Sequence, residues 1–519
     1  MTAETDPGGH AAPGGFDVPR WDLPLFALVT LVGASLLAFA SVERWASAWL
    51  LTGSVATLVA VCWRGGPRGL FSGAAGAIAG PALGIALLGL VQSMPAPRPV
   101  VAMLAPKTSA LQTGLVPPEG GAGLPRLLVE RARNAGATLP AGATLPTAPE
   151  DRGSWSARSS LSIHPVASRA AALAWLAPIF VFLAARRLAA DRLRRYHLLW
   201  GIAGWTGLLG AIAVLQRVGF GGQFLWGRES PPWATPMGPF VNPNHFAGWV
   251  EMGLLVTLGL GLAILGGASR HLTATGVRAA LLDRTWALPR LLLLGGVAVL
   301  GTCGMLLSHS RGGLIALGVG AVVLVPARRM RAWLPALAVL VVLAGLGVGL
   351  ASWLGREDRS LQTAFFAEGA RDPSLSMRSD IWGRTWRIWV DYPAVGSGLG
   401  TFRLAYAAYD REGEWLSTDQ AHNDYLQLLA ETGIAGAVLL GVWIVAVVWR
   451  VLRPALRHRG GPPSWTTVAL AAAILAMLVH SLLDFNLQIP AVATLYAVLG
   501  GALVAAAEDV ADPIEEPAS

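Results

Sequence analysis

Apolar residues recur along this chain in long uninterrupted blocks, and this pattern limits the possible folds more than any other feature. Each block holds roughly 20 residues, the length that an α-helix needs to cross about 30 Å of hydrocarbon. Such continuous runs exclude a transmembrane β-barrel, whose strands alternate apolar and polar residues. Only 13% of the residues are charged, whereas a soluble domain has about 25%. The sequence therefore predicts an all-α polytopic membrane protein with about 12 transmembrane helices.

Two long loops divide these helices into three groups. The sequence predicts three transmembrane helices within 22–92, six within 169–353 and three within 432–507. The individual spans are 22–41, 46–63, 70–92, 169–186, 197–217, 246–266, 290–308, 313–327, 332–353, 432–450, 466–484 and 490–507. The other segments are a tail at 1–21, a loop at 93–168, a loop at 354–431 and an acidic tail at 508–519.

The distribution of arginine predicts which side of the membrane each loop faces. With a cytoplasmic N-terminus, the five short cytoplasmic loops hold 18 Arg and the four short outward connections hold four. This bias is the positive-inside signal, and an even number of spans returns the acidic tail to the cytoplasm. The two long loops then face outward. We attribute the net charge of +8 to this orientation signal and expect no nucleic acid partner.

The two long loops differ in composition, and only the second is expected to fold. The 93–168 loop is rich in Pro, Gly and Ala and contains the tandem repeat GATLPAGATLP, so we expect an extended connection without chemistry. In the 354–431 loop, Trp382, Trp386 and Trp389 follow one another at helical spacing. They predict a helix at the membrane surface, although a plain amphipathic helix with interfacial tryptophans is the alternative. We expect this partly helical loop to be the catalytic one.

Histidines and other polar residues gather at the predicted outward ends of the helices. Ionisable groups are costly in hydrocarbon, so such a cluster marks a pathway or a site. Four motifs hold these residues: GPFVNPNHFAG at 238–248, SHSRGG at 308–313, the stretch from Arg378 through GSGLGTF to AHNDYLQLLAETG, and HSLLDFNLQIP at 480–490. The glycines of GSGLGTF do not follow a strand, so the sequence does not support a dinucleotide site there.

The first two motifs supply candidate ligand-binding residues at the starts of helices. Asn242, Asn244 and His245 are placed to bind an oxygen-rich ligand or only to cap the helix that follows. In the second motif, Ser310 and Arg311 stand beside a Gly pair, and a guanidinium there suits bidentate binding of phosphate. An arginine that only anchors the helix end at the membrane surface is the alternative.

The last two motifs supply further imidazoles. His422 and Tyr425 are three residues apart and share one face if this stretch is helical, although a lone histidine is often structural. His480 and Asp484 are four residues apart and are placed to pair with each other on a helix, more as a structural network than as a catalytic pair. Cys62 and Cys303 both lie in apolar blocks, so no disulfide or metal site follows from them.

With these motifs in this order, the sequence resembles the O-antigen ligase and polymerase superfamily, which includes O-oligosaccharyltransferases of the bacterial inner membrane. The resemblance covers about 165–505. It implies a glycosyltransferase that takes a glycan from an undecaprenyl-pyrophosphate carrier and works at the periplasmic membrane face without a metal or another cofactor. It also implies that Arg311 and Arg378 bind the pyrophosphate and that His422 is the essential histidine of the large loop.

The remaining expectations concern the substrates and the reaction. The substrate-binding residues are predicted to be Asn242, Asn244, His245, Ser310, Trp382, Tyr425 and His480. The acceptor, which is a glycan, a lipid or a protein, is left open, as is the choice between ligase and polymerase. We expect direct displacement with inversion, because no carboxylate pair suited to a covalent glycosyl intermediate is evident. A transporter or flippase for lipid-linked oligosaccharide, and a non-catalytic membrane scaffold, are the alternative functions.

Overall fold

A computed structural model of the chain describes residues 22–115, 158–219, 236–269, 287–324, 373–410, 418–456 and 464–511. Almost all of these residues are helical. The first helices are α1 (Leu23–Leu37), α2 (Arg44–Gly65), α3 (Gly73–Ser93), α4 (Arg98–Leu104), α5 (Pro106–Leu115), α6 (Pro165–Ala189), α7 (Arg192–Gly219) and α8 (Pro243–Ser269). They are followed by α9 (Ala287–Leu307), α10 (Arg311–Val323), α11 (Pro373–Asp391), α12 (Phe402–Ala407), α13 (Asp424–Ala446), α14 (Arg453–Leu456), α15 (Trp465–His480) and α16 (Pro490–Ala511).

Eight helices in the described part of the chain are long and apolar enough to cross a membrane, and α1, α10 and α15 are shorter apolar helices. Eleven of the twelve predicted spans coincide with these helices. The twelfth, 332–353, lies outside the described residues, as does the tail at 1–21, so the number of twelve stays a prediction. The all-α polytopic fold class is confirmed.

The buried core lies between the helices of one bundle. Helix α6 packs against α2, α3 and α16, while α8 packs against α7, α9, α10 and α15. Small residues allow these close approaches: a β-carbon at Gly501 would lie 2.5 Å from the carbonyl oxygen of Phe182, and one at Gly210 would lie 2.8 Å from that of Leu300. This is the packing expected where helices associate through small residues.

Ion pairs hold one end of the bundle together. Arg186 pairs with Glu508 at 3.0 Å, and Arg195 pairs with Asp509 at 2.6 Å. The sequence places these arginines and the acidic tail on the same side of the membrane, and the structure brings them together. The HSLLDFNLQIP motif precedes α16 and so lies at the opposite end of that helix.

The edges of the 93–168 loop are more ordered than its composition predicts. Two short strands, β1 (Pro95–Pro97) and β2 (Arg158–Ser160), pair antiparallel. Beside them, Lys107 pairs with Asp391 at 3.1 Å and so joins α5 to the end of α11. These edges therefore dock onto the 354–431 loop, whereas the tandem repeat at 136–146 lies outside the described residues.

Candidate active site

The carboxylate of Asp484 is the point at which separate stretches of the chain meet. Asp484 lies in the turn between α15 and α16. Its Oδ1 accepts hydrogen bonds from Nδ1 of His422 at 3.0 Å and from the backbone N–H of Phe485 at 2.9 Å. Its Oδ2 accepts from Nδ2 of Asn244 at 2.6 Å and from the guanidinium of Arg378 at 3.2 Å. Predicted site residues from two of the four motifs, Asn244 from the first and Arg378 and His422 from the third, thus share one carboxylate of the fourth.

These partners keep Asp484 ionised. Burial raises the pKa of Asp484, but the hydrogen bond from His422 and the neighbouring basic side chains of His245 and Arg378 outweigh this effect, and the pKa lies below its usual range. A carboxylate without its proton can only accept hydrogen bonds, so Nδ1 of His422 must carry the shared hydrogen. Neutral His422 then presents Nε2 as a proton acceptor, the arrangement in which a carboxylate orients an imidazole base.

The cluster is open on the side of its basic groups. The side chain of Asp484 is only 1% exposed, whereas Arg378 is 16% and His422 is 21% exposed. A ligand can therefore reach the guanidinium and the imidazole but not the carboxylate that holds them. This is the exposure expected of groups that contact a substrate, with the carboxylate in a supporting position.

The backbone around His422 is held in an uncommon conformation. His422 has a φ of +50°, in the left-handed region that non-glycine residues seldom adopt. Its carbonyl accepts a hydrogen bond from the indole of Trp382 at 3.3 Å, and the next residue, Asn423, caps α13 by accepting from the N–H of Leu426. Strained backbone of this kind clusters at functional sites. Trp382 of α11 thereby supports His422 directly.

Two further predicted residues lie beside Asp484. Asn242 precedes α8, and its side chain accepts a hydrogen bond from the backbone of Asn244 at 2.9 Å. His245 is buried, and its Nδ1 lies 3.0 Å from the side chain of Asn486. The rings of His245 and His422 lie edge-on to Phe485, with centroids 4.4 and 4.9 Å away. The start of α8 is therefore part of the cluster.

His480 and Asp484 do not pair as the four-residue spacing predicts. Helix α15 ends at His480, so Asp484 belongs to a turn and faces Arg378 and His422. His480 instead faces Glu251 of α8, with Nδ1 2.9 Å from the carboxylate and both side chains almost fully buried. Glu251 is an acidic residue inside a membrane-spanning helix, and the imidazole offsets its burial cost.

The SHSRGG motif lies against this buried pair. Ser310 caps α10 by accepting a hydrogen bond from the N–H of Gly313 at 3.2 Å and is itself buried, while Arg311 is exposed. A β-carbon built at Gly312 would lie 3.1 Å from Nε2 of His480, so the backbone of α10 closely approaches that ring. The first turn of α10, with Arg311, is thus placed beside the segment that carries Asp484. Binding of substrate by Ser310 and Arg311 stays a prediction.

Tyr425 does not share a face with His422. His422 precedes α13, which starts at Asp424, and so the two residues are not one helical turn apart. The hydroxyl of Tyr425 donates to the carbonyl of Leu478 at 2.8 Å and so ties α13 to α15. In the structure Tyr425 faces the interior of the bundle, and its predicted contact with substrate remains untested.

The glycines of GSGLGTF allow backbone conformations and close contacts that other residues would disfavour. Gly396, Gly398 and Gly400 all have positive φ, and a β-carbon at Gly398 would lie 2.2 Å from the side chain of Ser162. The buried carboxylate of Glu431 accepts hydrogen bonds from the N–H groups of Gly400 at 2.7 Å and Phe402 at 3.0 Å. This motif therefore fixes the path of the loop toward His422.

A comparison with known protein families matches a segment of the chain that contains two of these motifs. Residues 296–441 match the family model described as O-antigen ligase. The resemblance to the O-antigen ligase and polymerase superfamily is confirmed. The matched O-antigen ligase segment contains Arg311, Arg378 and His422, but Asn244 and Asp484 lie outside it. No curated protein matches the chain.

The family match and the apolar helices together support a coarse function. The protein is a multi-pass membrane protein, and the match over 296–441 supports a role in polysaccharide biosynthesis through glycosyl transfer of the O-antigen ligase type. Within the described residues no group of three or more His, Cys, Asp or Glu is arranged to hold a metal ion. The carrier, the acceptor and the roles of individual residues are matters for proposal.

Proposed function

We propose that the protein transfers or polymerises a glycan from an undecaprenyl-pyrophosphate carrier onto an acceptor hydroxyl at the periplasmic face of the bacterial inner membrane. The observation that carries this proposal is the shared carboxylate of Asp484, which holds a guanidinium and an imidazole side by side. The first suits a pyrophosphate and the second suits a hydroxyl, which are the two groups that such a reaction brings together.

In the proposed reaction the acceptor oxygen attacks the anomeric carbon of the glycan. The bond between this carbon and the pyrophosphate oxygen breaks, and the acceptor proton moves to Nε2 of His422. Arg378 faces the negative charge that develops on the leaving pyrophosphate, with Arg311 as a second cation. Charge stabilisation of this kind is strong where water is scarce. Direct attack inverts the anomeric configuration, and the reaction requires no metal or other cofactor.

Other predicted residues have supporting roles in this proposal. Asn244 and Trp382 hold the carboxylate and the backbone on either side of His422. His245 lies within the cluster, while His480 lies behind the first turn of α10. We expect the acceptor to be a glycan, a lipid or a protein hydroxyl, with membrane lipid around the helices.

Transfer and transport are separated by one reconstitution experiment. Purified protein in proteoliposomes receives an undecaprenyl-pyrophosphate-linked glycan and a panel of acceptors, with and without chelator. We expect a covalent glycan–acceptor product, detected by mass spectrometry, at an unchanged rate with chelator. Movement of intact donor between leaflets without any product would instead establish a flippase, and loss of product on chelation would overturn the metal-free mechanism.

A further inference from the structure

A carboxylate and an imidazole are paired in the interior of the bundle, and neither supplies a reacting group in the proposed transfer. Glu251 lies about 10 Å along α8 from Asn244, at about 1.5 Å of rise per residue. Its Oε2 lies 2.9 Å from Nδ1 of His480, and the two side chains are 0% and 1% exposed. Among the described residues, Oε1 of Glu251 has no hydrogen-bond partner. Stability alone does not account for this pair, because apolar residues in such positions are often equally stable or more so.

The backbone of His480 is joined to the turn that carries Asp484. The carbonyl of His480 accepts hydrogen bonds from the N–H of Leu483 at 2.8 Å and from the N–H of Asp484 at 3.0 Å. A change in the orientation of His480 therefore reaches the backbone of Asp484 directly. Through this turn His480 is connected to the Asp484 cluster, which comprises Asn244, Arg378, His422 and Asp484.

The ring of His480 faces the first turn of α10 on its other side. A β-carbon at Gly312, the residue after Arg311, would lie 3.1 Å from Nε2 of His480. A β-carbon at Gly313 would lie 2.8 Å from the β-carbon of Ala247, so α10 is also packed closely against α8. Close-packed interiors transmit displacements because they compress little. We therefore expect a shift of the His480 ring to move the turn that carries Arg311.

We infer that Glu251 is a positioning residue for the proposed transfer: through His480 it fixes Arg311 relative to the Asp484 cluster. The inference rests on the proposed function, in which Arg311 and Arg378 both face the leaving pyrophosphate. Charge stabilisation depends on cations that are held in place before the reaction, and a misplacement of about 1 Å can cost about 10²-fold in rate. Glu251 lies outside the O-antigen ligase segment at 296–441, so the inference extends the site to a residue in the interior of α8.

A double-mutant cycle with Arg311 tests this role in the transfer assay. We expect Glu251→Leu to lower kcat/KM for the lipid-linked donor by about ten-fold in the wild-type background but by no more than about two-fold in Arg311→Ala, which lacks the misplaced group. Glu251→Gln should stay within about three-fold of the wild type, because its amide keeps a hydrogen bond to His480. Thr257→Val is the matched control, since it alters a buried residue of α8 whose hydroxyl bonds only within its own helix, and it should leave the rate unchanged.

A second variant separates positioning from folding. Removal of one partner from a buried pair destabilises a protein, whereas replacement of both by apolar residues is often neutral. We expect Glu251→Leu/His480→Leu to keep a Tm close to that of the wild type while kcat/KM stays about ten-fold lower, since the directional contact is lost. Full activity in this variant would assign the pair to the fold alone. Equal losses from Glu251→Leu in the wild-type and Arg311→Ala backgrounds would also overturn the inference.

Amide hydrogen exchange measures the same positioning without donor or turnover. Peptides that cover 308–316 should exchange faster in Glu251→Leu than in the wild type, whereas peptides of α16 should be unchanged. Unchanged exchange at 308–316, or a similar increase throughout the bundle, would overturn the inference. Absence of glycan transfer by the wild-type protein would instead overturn the proposed function, so the two failures are distinguishable.

Discussion

Replacing His422 with alanine is expected to lower kcat for glycan transfer by about 10²–10⁴-fold, the usual contribution of a positioned general base. The reason is that the acceptor hydroxyl loses the imidazole that takes its proton in the proposed reaction. Transfer in proteoliposomes, quantified by mass spectrometry of the product, measures the loss. His197→Ala, which removes an exposed histidine of α7, is the control and should retain full activity. A His422→Ala protein that folds normally and transfers glycan at nearly the wild-type rate would contradict the assignment.

Asp484→Asn tests whether the carboxylate acts through His422. If the two side chains work as a unit, the double variant should be hardly slower than either single variant. Initial rates of the wild type, both single variants and the double variant in the same proteoliposomes measure this coupling. Stability from Asp484 is present at neutral pH and declines only as pH falls below about 3.9, since its folded pKa is lowered. A neutral-to-mildly acidic pH series therefore measures rate rather than unfolding.

Replacing Arg378 with alanine is expected to lower kcat/KM for the lipid-linked donor by about 10²–10³-fold, because the leaving pyrophosphate loses a preorganised cation. Arg378→Lys should recover only part of this loss, since an ammonium keeps the charge but not the two-pronged geometry. Initial rates at varied donor concentration measure both effects. Arg311→Ala should show a loss of the same kind.

The matched control for Arg378 lies on the same helix. Arg387 of α11 is exposed, and Arg387→Ala should leave kcat/KM within about two-fold, as expected of a solvent-exposed charge. A loss in Arg387→Ala as large as that in Arg378→Ala would indicate that the overall positive charge of α11, and not Arg378 in particular, supports the reaction. Full activity in Arg378→Ala would remove this residue from the site.

The sequence predicted the helices well because their signal is local. Apolar block length places eleven spans, and the tryptophan spacing in the large loop predicts part of α11. The same reasoning missed the ordered edges of the 93–168 loop, because contacts such as Lys107 with Asp391 join residues far apart in the chain. Composition describes the average character of a segment and does not reveal individual contacts of this kind.

The sequence predicted candidate site residues but not their contacts with one another. The four-residue spacing favours a pair between His480 and Asp484, yet the partners of Asp484, His422 and Asn244, are 62 and 240 positions away. Which side chains form hydrogen bonds with each other depends on how the helices pack. This packing cannot be inferred from the residues that are close together in the sequence. Glu251 offered a usable signal, as it is the acidic residue of an otherwise uncharged span. Its partner, again, became visible only in the folded bundle.

The most direct test of the site is an experimental structure of the protein in lipid with an uncleavable analogue of the undecaprenyl-pyrophosphate donor. The account predicts that the pyrophosphate lies within hydrogen-bond distance of Arg378 and Arg311 and that Nε2 of His422 faces the anomeric carbon from the acceptor side. A pyrophosphate bound at the other end of the bundle, beside Arg186 and Arg195, would contradict it.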